Sequence, residues 1–224
     1  ESISKPGASP MMARADQSKA EPPPIGALLF DLGGVLIEID FERVFSAWAK
    51  FSNLPLPEIR RRFSVDVAYE HHERGELDGP SYLRHIRQLL EIDASSQALH
   101  DAWNTIFVGR IQSTIARVKT ARQHLPCFVF TNSNELHQQA WEAAYPDVLS
   151  LFEEVFVSSE LGLRKPDPQA FAAVASRIGL AAPTILFFDD LRQNIEGARA
   201  FGMQAIHVRD PSDVQEALER IQPN

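Results

Sequence analysis

One cysteine in 224 residues, Cys127, excludes an internal disulfide and gives no reason to place the chain in an oxidising compartment. Beside the apolar Phe128-Val129-Phe130 it reads as buried packing. No apolar run approaches the roughly 20 residues that a membrane span needs, and the first residues lack the hydrophobic block of a secretory signal. The expectation is a cytoplasmic protein that does not enter a membrane. Positive charge is also short. Lys and Arg number 22 against 30 Asp and Glu, a formal charge of −8, which argues against broad binding to nucleic acid or anionic lipid but leaves room for a local basic pocket that takes one phosphate. The expected partner is a small molecule. Apolar residues make up 44% of the chain, enough for one large α/β domain or for a core with a smaller attachment.

The leader Glu1 to Pro24 has little to bury and ends in Pro22-Pro23-Pro24, so it is expected to be a flexible segment outside the fold, with Met11 and Met12 as candidate start residues. The organising stretch follows, Leu28-Leu29-Phe30-Asp31-Leu32-Gly33-Gly34-Val35-Leu36-Ile37. A short apolar run suits a strand buried on both faces of a parallel sheet, and ligands bind beyond the carboxyl ends of such strands. Asp31 is therefore expected to face a crevice, with Gly33 and Gly34 allowing a sharp turn close to a ligand. An Asp that merely turns the chain is the plainer alternative.

From Phe41 to Phe107 the apolar spacing is helical, with Val44, Phe45, Trp48, Ile59, Phe63, Tyr82, Leu83 and Ile86 on buried faces and no strand evident. The polar segment His71-His72-Glu73-Arg74-Gly75-Glu76 lacks the spacing of a helical metal motif, and it is read as a solvated turn or as groups facing a cleft. Short apolar runs then recur. Cys127-Phe128-Val129-Phe130 leads into Thr131-Asn132-Ser133-Asn134, which faces the crevice or caps the following helix. Val155-Phe156-Val157 precedes Arg164-Lys165-Pro166-Asp167-Pro168, where two prolines restrain a loop that carries a cation. Ile185-Leu186-Phe187-Phe188 ends in Asp189-Asp190, two adjacent carboxylates for which a hard divalent ion is the natural partner and an exposed helix cap the alternative. A fifth run, Ala205-Ile206-His207-Val208, places His207 as an ordinary strand residue.

Taken together, Phe30-Asp31-Leu32-Gly33-Gly34-Val35, Val129-Phe130-Thr131-Asn132, Lys165-Pro166 and Phe187-Phe188-Asp189-Asp190 resemble, in this order, the motifs of the haloacid dehalogenase-like superfamily. Within it the chain looks closest to phosphatases of the α-D-glucose-1-phosphate type. That likeness rests on the Asp-Leu-Gly turn, His72-Glu73-Arg74-Gly75-Glu76, Gly162-Leu163-Arg164-Lys165-Pro166, and Asp189-Asp190 through Asn194-Ile195-Glu196-Gly197-Ala198. The resemblance implies a Rossmann-like, doubly wound parallel sheet over residues 25–40 and 111–224, with a helical cap inserted at 41–110. It implies Asp31 as nucleophile, Lys165 as the balancing charge, and Thr131, Asn132 and Lys165 as contacts to the phosphoryl group. Mg²⁺ would be held by Asp31, Gly33 and Asp190, with Asp189 nearby, and the substrate would be a small phosphomonoester.

One position departs from the superfamily. Gly33 stands where a second Asp usually serves as acid and base. A sugar C1 phosphate, with its more acidic leaving hydroxyl, should suffer least from that loss, and Glu73, His71, His72 and Glu38 are candidate substitutes. Two alternatives follow. A 2-haloacid dehalogenase would leave Asp189-Asp190 without a task, and a protein without the acid could bind phosphate for regulation and catalyse nothing.

Overall fold

The computed structural model describes residues 23–221, so the leader expectation for residues 1–22 lies outside the described residues. Among the described residues seven strands form two sheets. The main sheet is built from β1 (Ala27–Phe30), β4 (Cys127–Thr131), β5 (Glu154–Val157), β6 (Ile185–Asp189) and β7 (Gln204–His207), all parallel, in the order β5-β4-β1-β6-β7. This is the expected α/β architecture, and its cause lies in the strand sequences. Alternate residues serve two separate cores. Leu28, Phe30, Val129, Leu186 and Phe188 join one, while Leu29, Phe130, Ile185, Phe187 and Ala205 join the other, which is why the runs are apolar throughout.

Helices cover both faces. The first core is closed by α6 (Gln112–Ala121), through Ile115 and Val118, by α12 (Pro211–Ile221), through Val214 and Leu218, and by Trp141 of α7 (Glu135–Ala144). A short α8 (Pro146–Leu149) follows α7, and α9 (Ser158–Leu161) follows β5 directly. The second core is closed by α10 (Pro168–Ile178), through Phe171 and Val174, and by α11 (Arg192–Phe201), through Ile195 and Ala198.

Between Ile39 and Phe107 the chain makes five α-helices, α1 (Phe41–Trp48), α2 (Leu56–Arg62), α3 (Val67–Glu73), α4 (Gly79–Leu89) and α5 (Ser96–Trp103). They bury a third cluster of their own around Val44, Trp48, Tyr82, Leu99 and Trp103, with the Trp48 and Trp103 rings stacked at 5.3 Å. Asp40, Asp66, Asp78 and Ser95 cap α1, α3, α4 and α5 by accepting from backbone amides of the first turn.

The apolar run from Leu28 ends as a strand at Phe30, as expected, and the chain turns through Asp31 to Gly34; β2 (Ile37–Ile39) then pairs antiparallel with β3 (Phe107–Arg110), with a register shift at Glu38/Ile39. This ribbon frames both ends of the helical segment. The reading of 41–107 as purely helical missed β3, since four residues with partners far upstream carry too little periodicity to stand out. Of the two readings of His71 to Glu76, the solvated turn does not hold, because α3 runs through Glu73 and both His72 and Glu73 are buried, while Glu73 faces a cavity as the other reading had it.

Candidate active site

Strand register assembles the site. Phe30 pairs with Phe188 on one side and Val129 on the other, so Asp31, Asp189 and the Thr131-Asn132 pair leave the sheet along one edge. The Asp31 amide donates to the Phe188 carbonyl at 2.8 Å, and the Leu32 amide donates to Asp31 Oδ1 at 2.7 Å. Gly34 follows at φ +74°, and a Cβ built there would collide with the Asp190 carboxylate. Only glycine meets both demands, the left-handed backbone and the close approach.

Lys165 is fully buried at the centre of these acids. Its Nζ donates to Asp189 Oδ2 at 2.7 Å and to the Phe130 carbonyl at 2.8 Å, and it pairs with Asp31 Oδ1 at 3.0 Å, which accounts for all three ammonium protons. Burial works against its charge, but the Asp189 and Asp31 carboxylates outweigh that cost and hold Lys165 above the ordinary lysine value. Asn132 fixes the lysine's backbone: its Nδ2 donates to the Lys165 carbonyl at 2.9 Å and its Oδ1 accepts from the Lys165 amide at 2.8 Å. The Asn132 side chain is therefore engaged, and its backbone amide is the part left for a ligand. Thr131 is buried beside it and borders the same cavity.

Asp189 is enclosed from all sides. Asn194 Nδ2 reaches Oδ1 at 3.1 Å and Oδ2 at 3.0 Å, and the Leu191 amide donates to Oδ1 at 2.8 Å. Asp190 instead turns its carboxylate toward the cavity, while His207 Nε2 lies 2.9 Å from its backbone carbonyl. One oxygen from each of Asp31, Asp189 and Asp190 lies within 4.8 Å of the others. Three carboxylates face one ammonium. Burial pushes Asp31 up to about 8, with Lys165 opposing and Asp189 and Asp190 adding to the rise. Burial and then the Asp189 charge raise Asp190 as well. An all-oxygen donor set with surplus negative charge fits a hard divalent cation, with Asp31 and Asp190 the freer ligands.

The cavity over these groups measures about 740 Å³, within the range of small-molecule sites. Gly33, Ile39 and Phe41 border it on one side, and Tyr69, Glu70 and Glu73 of α3 face it together with Arg164. Arg164 donates through Nε to Glu73 Oε2 at 2.8 Å and through Nη1 to Glu70 Oε1 at 3.2 Å. Among these wall residues the sequence singled out Gly33 as a metal contact and Glu73 as a candidate acid, whereas Tyr69, Glu70 and Arg164 received no role, although Arg164 stands inside one of the motifs that carry the resemblance.

A family model described as hydrolase, haloacid dehalogenase-like hydrolase, matches residues 25–202. The chain belongs to this family. It is 27% identical over 205 residues to a phosphatase of Mycobacterium tuberculosis, covering 88% of this chain and 93% of that one. It is 20% identical to a D-ribitol-5-phosphate phosphatase of Bacteroides thetaiotaomicron over 85% of this chain and 95% of that one. A haloacid dehalogenase family enzyme from the same organism, solved in complex with magnesium and inorganic phosphate, superposes with a TM-score of 0.70 at 26% identity, covering 81% of this chain and 92% of that chain.

In this haloacid dehalogenase-like hydrolase the structure brings Asp31, Gly33, Thr131, Asn132 and Asp190 to one cavity, with Lys165 and Asp189 buried directly beneath it. The candidate acid substitutes separate. Glu38 is exposed and borders another cavity with Gly34 and Arg110. His71 pairs with Glu76 at 3.4 Å. His72 turns its Nδ1 to the Leu77 carbonyl at 2.9 Å and stacks on Tyr82. Glu73 alone of the four borders the cavity that holds Asp31.

Proposed function

We propose that the protein is a Mg²⁺-dependent phosphatase that hydrolyses a small phosphorylated metabolite, a sugar phosphate, through an aspartyl-phosphate on Asp31. The observation that carries this reading is the Lys165 ammonium held between Asp31 and Asp189 while Asp190 faces the same cavity. Such a site binds a dianion only when a divalent cation joins it.

Residues of this chain perform the steps. The Asp31 carboxylate attacks phosphorus, the bond to the leaving oxygen breaks, and its electron pair departs with that oxygen, which takes up a proton. Water then attacks phosphorus, the bond to Asp31 breaks, and the carboxylate is restored with release of phosphate. Thr131 and the Asn132 amide hold the phosphoryl oxygens, and the Lys165 ammonium balances their charge from beneath through Asp31 and Asp189. Asp31, Asp190 and the Gly33 carbonyl, with Asp189 beside them, would hold Mg²⁺, which would supply further neutralisation of those oxygens. The α1–α5 segment acts as a cap that keeps bulk water out and selects the leaving group.

Two features of the wall favour a sugar. Tyr69, Glu70, Glu73 and Arg164 offer hydrogen bonds to hydroxyl groups, and Ile39 and Phe41 offer an apolar surface to the carbon face of a ring. The α-D-glucose 1-phosphate type singled out by the motifs is one member of this class, and pentitol phosphates, the class of the Bacteroides relative, are another.

A phosphate-release screen over sugar and polyol phosphates with added Mg²⁺ tests the reading. At least one is expected to be hydrolysed. EDTA should reduce the rate on the order of 10³-fold, and excess Mg²⁺ should restore it. Binding of Mg²⁺ and phosphate without turnover of any ester would make the protein a non-catalytic phosphate binder, and metal-free release of halide from a 2-haloacid would make it a dehalogenase.

A further inference from the structure

The proposed phosphatase reaction needs a proton at the leaving oxygen, and Gly33 cannot provide it. The space into which a side chain at that position would project is crowded by Ile39, whose flexible end would have to shift to admit an acid. A Cβ built on Gly33 meets Ile39 Cδ1 at 3.2 Å as its nearest neighbour, and a recess of about 80 Å³ adjoins it. Glu73 borders both this recess and the larger cavity containing Asp31. The chain thus lacks a carboxyl at position 33 and presents another, that of Glu73, to the same cavity.

Glu73 is held there firmly. Its backbone carbonyl accepts from Ser158 Oγ at 2.6 Å, and the same hydroxyl accepts from the Ser133 amide at 2.9 Å. Ser158 follows β5 and Ser133 follows β4, so the end of α3 is fastened to the sheet edge that carries the phosphoryl contacts. Gly75 continues the fastening, since a Cβ there would strike the Ser159 carbonyl.

The groups facing Glu73 come from three places: Tyr69 and Glu70 on its own helix, Arg164 and Lys165 from the loop after α9, and His137 of α7 across the recess. Burial raises the Glu73 carboxyl above the usual glutamate value, with Arg164 first among the groups opposing the rise, followed by Tyr69 and Lys165. The single Arg164 charge is also shared with Glu70. His137 is driven down to about 3 by burial, so it stays neutral and does not hold Glu73 ionised.

We infer that Glu73 is the acid and base of the reaction, replacing from the helical segment the carboxyl that position 33 lacks. The inference rests on the phosphatase reading above. As Asp31 attacks phosphorus and the ester bond breaks, the Glu73 proton passes to the leaving oxygen, directly or through one water, giving the alcohol and a Glu73 carboxylate. When water attacks the aspartyl-phosphate, that carboxylate takes a proton from the water, and the cycle closes with no proton lost or gained. The consequence reaches the substrate. With Glu73 in place, the leaving group need not be an acidic anomeric hydroxyl, and phosphates of ordinary primary alcohols fall within range.

The test compares kcat/KM of Glu73→Gln and wild type on p-nitrophenyl phosphate, whose leaving group needs no acid, and on glucose 6-phosphate, whose leaving group does. The variant should lose roughly 10²- to 10⁴-fold on the alkyl ester and less than about tenfold on the aryl ester. Adding Gly33→Asp to Glu73→Gln should recover alkyl turnover. Equal losses on both esters, with no recovery, would reduce Glu73 to a positioning residue. Wild type supplies a readout that does not depend on the variant's folding: its kcat/KM for the alkyl ester should fall relative to the aryl ester as pH rises and Glu73 deprotonates. Parallel pH profiles would overturn the inference while leaving the phosphatase intact. Wild-type protein inert toward both of these esters and every ester of the screen would overturn the phosphatase reading, and the inference with it.

Discussion

Asp31→Asn is expected to lower phosphate release by at least about 10⁴-fold, the scale on which loss of a nucleophile reads in covalent catalysis, while the protein stays folded. The carboxamide has nearly the same shape but cannot form the bond to phosphorus. The stability side of the same substitution has a definite sign. Asp31 is buried beside two other carboxylates, and its folded value of about 8 lies above the unfolded value near 3.8. Between those values the native state binds more protons than the unfolded chain, so its stability falls as pH rises across that window. Asparagine has no proton to lose. In the absence of divalent cations, the melting temperature of Asp31→Asn should therefore gain on that of wild type from pH 4 to pH 8. Thermal melts at several pH values, paired with phosphate-release assays, check both halves. An inactive variant that is also unfolded, or a stable variant that retains turnover, would contradict the assignment.

Lys165→Met is the second substitution with a large expected cost, and here both stability and activity should fall. The ammonium is fully buried, with Asp189 at 2.7 Å and Asp31 at 3.0 Å. Methionine fills a similar volume but leaves two buried carboxylates facing each other without a cation. Removing one partner of a buried pair typically costs about 3–5 kcal/mol, which for a chain of this size lowers the melting temperature by roughly 10 °C. The deficit should be smaller below pH 8, where wild-type Asp31 is protonated and gains less from the ammonium, and grow above it, where the wild-type carboxylate ionises against Lys165. Turnover should be lost at every pH, because the phosphoryl oxygens lose their fixed positive charge. Differential scanning calorimetry over pH provides the check, and an unchanged melting temperature would show that the pair does not hold the site together.

The five-stranded sheet was legible because strands buried on both faces must be apolar at every position, and Leu28-Leu29-Phe30, Cys127 to Phe130 and Ile185 to Phe188 satisfy that condition. Parallel register then brings the polar residue after each run to one edge, so Asp31, Thr131 and Asp189 meet although they are far apart in the chain. The small antiparallel ribbon was not legible. Ile37–Ile39 and Phe107–Arg110 are three and four residues long, and neither shows enough alternation to be told from the end of a helix or a turn.

The depth of Lys165 was also hidden. A lysine in a proline-rich loop reads as solvated, and only the two acids delivered by different strands make its complete burial tolerable. Glu73 shows the same dependence on distant partners. In its own segment it is one polar residue among several, and what buries it is Arg164 from the far side of the sheet edge together with the hydroxyl of Ser158. Charge pairs made across long sequence separations leave no periodic trace, whereas faces buried within one element do.

The central claim is that phosphorus becomes bonded to the side chain at position 31. Sodium borohydride added during turnover reduces an acyl phosphate to the alcohol, so the peptide that contains Asp31 should carry homoserine at that position in the presence of Mg²⁺ and substrate, and unmodified aspartate without substrate. Continued phosphate release with Asp31 intact under borohydride, or reduction at a different carboxylate, would contradict it.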